Sequence, residues 1–266
     1  MEKAKKLLTS TLIAAAIGVS STSALAASTL TEGKINVGME ITYPPFESYD
    51  GDKVVGFDPE LTALLANKMG IEYGFTDNKF TGLILGLASN KFDAVISGMY
   101  IIPDRLKKAD AIPYARTGAS IMVAKGSDIQ PKTGEDLCGV KVGLQQGTTW
   151  VKTLHELSES YCVANDLPPI VVQEFPTAPE ATQAMMSKNI QAQMEIAGAA
   201  QMLVQRTRER VEISSTTLVF PQTLGIYLKQ GNDQLKAQLE KAMSEIKADG
   251  SYQALITKYE LIPITE

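Results

Sequence analysis

Residues 97–105 read Ser-Gly-Met-Tyr-Ile-Ile-Pro-Asp-Arg and follow the apolar run Phe-Asp-Ala-Val-Ile, so an arginine stands close to the end of what reads as a buried strand. A guanidinium in that place has two ordinary uses. It can form a surface salt bridge with Asp104 or Asp110. It can also clamp a small carboxylate, because its planar donors match that group in pairs and its charge is permanent. An internal echo adds a second clue: "SNKFDAVISG" (89–98) and "SKNIQAQMEI" (187–196) share a helix end, a polar pair, an apolar residue and a strand. The echo places Ser97 and Glu195 at equivalent strand ends facing one cleft, and open α/β sheets bind ligands at the carboxyl ends of their strands. Other chemistries find little material. His155 is the single histidine and falls inside a helix, as a surface residue. There is no Ser/His/Asp set, no glycine-rich phosphate loop and no cluster with metal-ligand spacing, so no catalytic residue, metal or cofactor is expected.

The elements that must position these residues alternate between short apolar runs and helices. "KINVGM", "VVGF", "IEYGFT", "FDAVISG", "SIMVAKG", "GVKVGLQQG", "IVVQEF", "QAQMEI" and "TLGIYL" read as strands. "DPELTALLANKMG" reads as a helix with Asp58 as N-cap, Pro59 in the first turn and Gly70 as the stop. Further helices are expected over "FTGLILGLASN", from about Thr148 to Ser160, near 177–188, over "AGAAQMLVQR", from about Asn232, and over "SYQALITKYE". Strands separated by helices mean α/β units with largely parallel sheets.

The chain has 266 residues and a net charge of −5. It opens with the basic "MEKAKK", continues with the apolar "LLTSTLIAAAIGV", and reaches the small-x-small "ALA" at 24–26, which reads as a signal peptide over residues 1–26. No cysteine lies near that junction to carry a lipid anchor, so the mature chain is expected free in the periplasm. The signal carries three lysines against one glutamate, which leaves the mature part near −7 and without a basic run. A nucleic-acid partner is therefore not expected. Cys138 and Cys162 are the two cysteines, and in an exported chain such a pair reads as a disulfide, with two unpaired buried thiols as the alternative.

Six stretches in order, "GMEITYPPFE" (38–47), "GFDPEL" (56–61), "FDAVISGMYIIPDR" (92–105), "AKGSDI" (124–129), "GVKVGLQQGTT" (139–149) and "GSYQALITKY" (250–259), make the chain similar to the periplasmic solute-binding proteins of family 3, the polar amino-acid receptors of ABC transporters. The resemblance implies an α/β, two-lobed periplasmic-binding-protein type II (Venus-flytrap) fold with a two-segment hinge. Lobe 1 would take residues 30–118 and 223–266, lobe 2 residues 119–222, with crossings near 116–121 and 217–224. The cysteine pair would lie inside lobe 2. The implied function is capture of an amino acid or related zwitterion between closing lobes, for delivery to the membrane subunits of an ABC importer. A monomer is implied.

The same resemblance implies a ligand set. Arg105 would fork onto the ligand carboxylate, Gly98 would offer a backbone N–H, and Gln145, Thr148 and Thr149 would belong to the facing turn at a helix N-terminus, which favours an anion. Tyr43 would be the aromatic on which ligands pack, and Glu40 an acid for a cationic end. Trp150 would be either a second wall or a plug for its own helix turn. The chain departs from the family at the lobe 2 aspartate that holds an α-ammonium: Ile196 stands in its place, with Glu195 one residue earlier. Tyr100 likewise stands where a Ser or Thr is usual. Tyr43, Tyr100 and Trp150 could together form an aromatic box for a quaternary or delocalised cation. Two rivals follow: a dehydratase-like enzyme acting on a cyclic carboxylic acid, with Glu195 as acid or base, and a sensor module, for which the chain shows no output domain.

Overall fold

The computed structural model describes residues 29–264. The signal-peptide reading of 1–26 lies outside the described residues. In chain order the strands are β1 Lys34–Met39, β2 Thr42–Tyr43, β3 Glu47–Asp50, β4 Lys53–Val55, β5 Glu72–Asp77, β6 Ala94–Val95, β7 Ala109–Ala124, β8 Lys141–Gln145, β9 Val171–Phe175, β10 Ala192–Ile196, β11 Val211–Ile213 and β12 Val219–Lys229. The helices are α1 Phe57–Met69, α2 Leu83–Ala88, α3 Pro103–Leu106, α4 Thr149–Leu157, α5 Ala178–Met186, α6 Ala197–Arg206, α7 Asp233–Ala248 and α8 Ser251–Lys258.

Nine strands form one curled sheet in the order β5-β1-β6-β12-β7-β10-β8-β9, with β11 pairing to β7, and β2-β3-β4 form a small separate sheet. Within each half the pairing is parallel, β5-β1-β6 on one side and β10-β8-β9 on the other. The sixteen residues of β7 join the halves. Their first part pairs antiparallel with β12 from Ala109↔Lys229 to Thr117↔Gln222 and, past a register shift, at Ala119↔Val219, and their last part pairs with β10 and β11. The result is the α/β two-lobed fold, with β7 and β12 as its two crossing segments. The register between them shifts from Val219 to Gln222, and Phe220 there has a φ of 47°.

Most expected elements are present, and the exceptions have physical reasons. Asp58 does not cap α1; Gly56 holds that position, and Asp58 sits in the first turn, fully buried, with its carboxylate turned to other elements. Gly70 stops the helix in the left-handed conformation, as a glycine can without strain. The strand expected over "FDAVISG" pairs only at Ala94–Val95, because the chain then leaves the sheet to build the site.

Cys138 and Cys162 form a disulfide with a sequence separation of 24. It ties the chain just before β8 to the end of the turn that extends α4, wholly on the β8–β9 side of the sheet. Closing such a loop removes about 3–4 kcal/mol of unfolded-chain entropy in the loop-closure description. Reduction, or the double substitution C138A/C162A, is expected to lower the unfolding free energy by about 3 kcal/mol. Urea denaturation with and without reductant measures it, and coincident curves would refute the expectation.

Candidate functional site

The chain turns of both sheet halves converge on one cleft. From the β1–β6 half come Glu40 after β1, Tyr43 on β2, Glu47 at the start of β3, Phe80, Gly98, Tyr100 and Arg105; from the other half come Gln145, Thr148, Thr149, Trp150 and Ile196. The cavity between them is only about 20 Å³. Side chains therefore crowd the cleft, and a guest the size of an amino acid needs the walls to part.

Several direct bonds hold those walls together. Arg105, on the short helix α3, donates from Nη1 to the Tyr100 carbonyl (2.7 Å) and from Nη2 to the Gly147 carbonyl across the cleft (3.0 Å). Its guanidinium lies 5.4 Å from the centre of the Phe80 ring. Among the described residues it pairs with neither Asp104 nor Asp110; Asp104 is engaged by Lys107 at 2.7 Å. Gly147 has a φ of 77°, and a Cβ there would come within 3.0 Å of Thr81 Cγ2 on the opposite wall, so this turn needs glycine. Gln145 Nε2 donates to Glu40 across the same gap. Thr148 bonds back to the Gln145 carbonyl (2.8 Å), and the free N–H groups that open α4 begin at Thr149.

The aromatic residues share the cleft but do not close into one box. Tyr100 and Trp150 meet edge to face at 5.7 Å, whereas Tyr43 stacks on Phe46 at 5.7 Å. Trp150 is 2 % exposed, so it plugs the first turn of α4 and walls the cleft at once. Its Nε1 and the Tyr100 hydroxyl are buried without a partner among the described residues. Gly98 lines the cleft, but its N–H is spent on Asp58 Oδ2 at 2.7 Å and does not face a guest.

Ser97 and Glu195 do not line the cleft. Neighbouring residues of a strand point to opposite faces, and at the end of β10 Ile196 takes the cleft face. Glu195, 1 % exposed, sits behind that lining and reaches the opposite half, accepting from the Tyr43 hydroxyl (2.7 Å) and from Gln193 Nε2 (2.8 Å). Burial pushes its carboxyl up to about 7, against the lowering effect of those two donors. Ser97 joins two acids instead: its hydroxyl donates to Glu47 Oε1 (2.6 Å) and accepts from the Glu40 N–H (3.0 Å). Burial also raises the Glu40 carboxyl, with Gln145 opposing. His155 is exposed on α4.

The cleft thus carries groups for both charges. Arg105, the start of α4 and the unpartnered Tyr100 and Trp150 donors suit an anion, and Glu40 and Glu47 suit a cation. The model of the bacterial extracellular solute-binding proteins, family 3, matches residues 35–261. The chain belongs to that family. It is 32% identical over 230 residues to the L-cystine-binding protein TcyJ of Escherichia coli (strain K12), covering 85% of this chain and 82% of that protein. It is 31% identical over 228 residues to the ABC transporter arginine-binding protein 1 of the same strain, covering 84% and 88%. Among solved structures it resembles an ancestral arginine-binding protein bound to arginine, at 34% identity and a TM-score of 0.77 over 85% of this chain and 98% of that one. As a family 3 member the chain is a solute-binding protein of the ABC-importer type.

Glu47, Phe80 and Ile196 complete the lining. Glu47 closes "TYPPFE", and nothing in that stretch marks it as buried.

Proposed function

We propose that the cleft captures an amino acid or related zwitterion, and that the protein delivers it to the membrane subunits of an ABC importer. The observation that carries this reading is the meeting of both charges in one cleft: Arg105 and the start of α4 with two buried acids, Glu40 and Glu47, contributed by both halves of the sheet. The ligand carboxylate would meet Arg105, Thr149 and the Trp150 indole N–H. Its nitrogen would lie toward Glu40 and Glu47, packed between Tyr43 and Tyr100. Residues 30–118 with 223–266 form one lobe and 119–222 the other. They hinge near 116–121 and 217–224, where the β7–β12 register breaks and where a Cβ on Gly118 would meet Leu218 Cβ at 2.9 Å. Opening releases the Arg105–Gly147, Gln145–Glu40 and Tyr43–Glu195 bonds, and a bound ligand replaces them on closure. The protein works as a monomer in the periplasm, released from a cleaved signal over 1–26 with no lipid anchor.

The test is a thermal-shift screen of ligand-stripped protein against L-arginine, L-histidine, L-cystine, glycine betaine, opines, polyamines and simple carboxylates. A zwitterion at 100 times its Kd is expected to add about 2.7 kcal/mol, worth on the order of 5–10 °C. Silence across the panel from folded protein would overturn the reading. Product formation from a cyclic dienyl acid would replace it with the enzyme.

A further inference from the structure

Glu47 is fully buried and lines the cleft. Its Oε1 takes the Ser97 hydroxyl, its Oε2 has no N–H or hydroxyl donor among the described residues, and its carboxyl shares a hydrogen bond with that of Asp58. Beside it lies Asp58, also fully buried, which accepts from the Gly98 N–H (2.7 Å) and the Tyr114 hydroxyl (3.0 Å). Two carboxyls side by side in a buried site do not both ionise. Asp58, with two donors, is the better home for the charge, and Glu47, with one, holds the proton. Burial first and Asp58 second raise the Glu47 carboxyl well above its ordinary value, and burial takes Asp58 up to about 6. The other groups facing Glu47 are Glu40 beyond β1, Ser97 after β6 and Tyr114 on β7, none of them cationic.

We infer that Glu47 is the seat for the ligand's cationic nitrogen, which it takes in exchange for its own proton. Ile196 on the facing wall offers no counter-charge, and Glu195 is already engaged by Tyr43 and Gln193. With the cleft open, the Glu47 O–H leaves its hydrogen bond to Asp58 and gives its proton to solvent, and the nitrogen then settles against the Glu47 carboxylate. One positive charge enters and one leaves, so closure buries no extra net charge. The exchange explains how two adjacent acids can floor a site for a cation without both being charged when it is empty. Binding is then coupled to pH. Affinity rises as pH is raised, by up to about tenfold per unit while Glu47 is protonated in the free protein.

This inference rests on the zwitterion reading, and the experiment separates the two. Titration calorimetry is run near pH 7 with L-arginine, L-histidine and glycine betaine, each in phosphate and in Tris, whose ionisation enthalpies differ. Betaine has no nitrogen proton of its own to lose. The expected result is release of up to one proton per ligand bound by wild type. E47Q abolishes the release and weakens binding at least about tenfold. Binding without proton release overturns the inference and leaves the zwitterion reading standing. Release that persists in E47Q assigns the proton to another group and overturns it too. Failure of all three probes to bind overturns both. Should E47Q prove unstable, the wild-type proton count decides alone.

Discussion

Arg105→Ala is expected to weaken binding of the screen's best zwitterion by at least about 100-fold, with the thermal midpoint of the ligand-free protein moving by only a few degrees. The guanidinium is half-buried over Phe80, and two of its five N–H donors rest on the carbonyls of Tyr100 and Gly147. The ligand carboxylate would take the fork's cleft-facing donors. Each charge-assisted hydrogen bond contributes about 1.5–3 kcal/mol, so losing a pair exceeds the roughly 2.8 kcal/mol that a factor of 100 requires. In the ligand-free protein the Tyr100 carbonyl keeps the Tyr227 hydroxyl (2.6 Å) and water can satisfy the exposed Gly147 carbonyl, and this separates a binding defect from a folding defect. Arg105→Lys should not restore affinity, because a point charge cannot span two oxygens. Calorimetry on both variants decides. Affinity in Arg105→Ala within threefold of wild type would end the clamp assignment.

The sequence made the arginine and the α4 turn legible because their signals are local. An arginine soon after a strand end, and a glycine before two threonines, each name a turn and a donor set within a few residues. Glu47 was not legible for the opposite reason. The strand it opens has four residues, too few for a period-2 pattern to show which face is buried. What surrounds it is the packing of other elements, Asp58 of α1 and Ser97 after β6, which no local pattern displays. Asp58 shows the same limit from the other side. An aspartate before a proline reads as a helix cap, yet Gly56 serves there, and the carboxylate is drawn to Gly98 and Tyr114. β7 read as its last third only. Pro113, Arg116 and Thr117 interrupt the apolar pattern where the strand passes from one half of the sheet to the other and its faces change neighbours. The departure at Ile196 was visible, but its consequence was not. The alternation of β10 decides that Ile196 faces the cleft and Glu195 does not.

Glu195 carries the second large effect, and its sign is opposite to ordinary acid denaturation. In the unfolded chain its carboxyl ionises near the ordinary 4.5, and in the folded protein burial pushes it up to about 7. Between those values the unfolded state has lost a proton that the folded state keeps. The folded state therefore loses stability as pH rises through that window, by about 3 kcal/mol once pH passes 7. Asp58, Glu47 and Glu40 are raised by burial as well and act in the same direction. The carboxyls held low by partners, Asp104, Asp136, Glu212 and Asp249, are on the surface and titrate below the window, where they favour folding as pH rises. Urea unfolding of ligand-free protein should accordingly show greatest stability near pH 4.5–5 and a decline toward pH 7. Glu195→Gln, which imitates the protonated carboxyl, should remove much of that decline while leaving stability near pH 5 close to wild type. A wild-type profile that rises from pH 5 to 7 would mean that the Glu195 carboxylate is ionised and satisfied in the fold by Tyr43 and Gln193. Its burial would then set no stability penalty on the closed cleft.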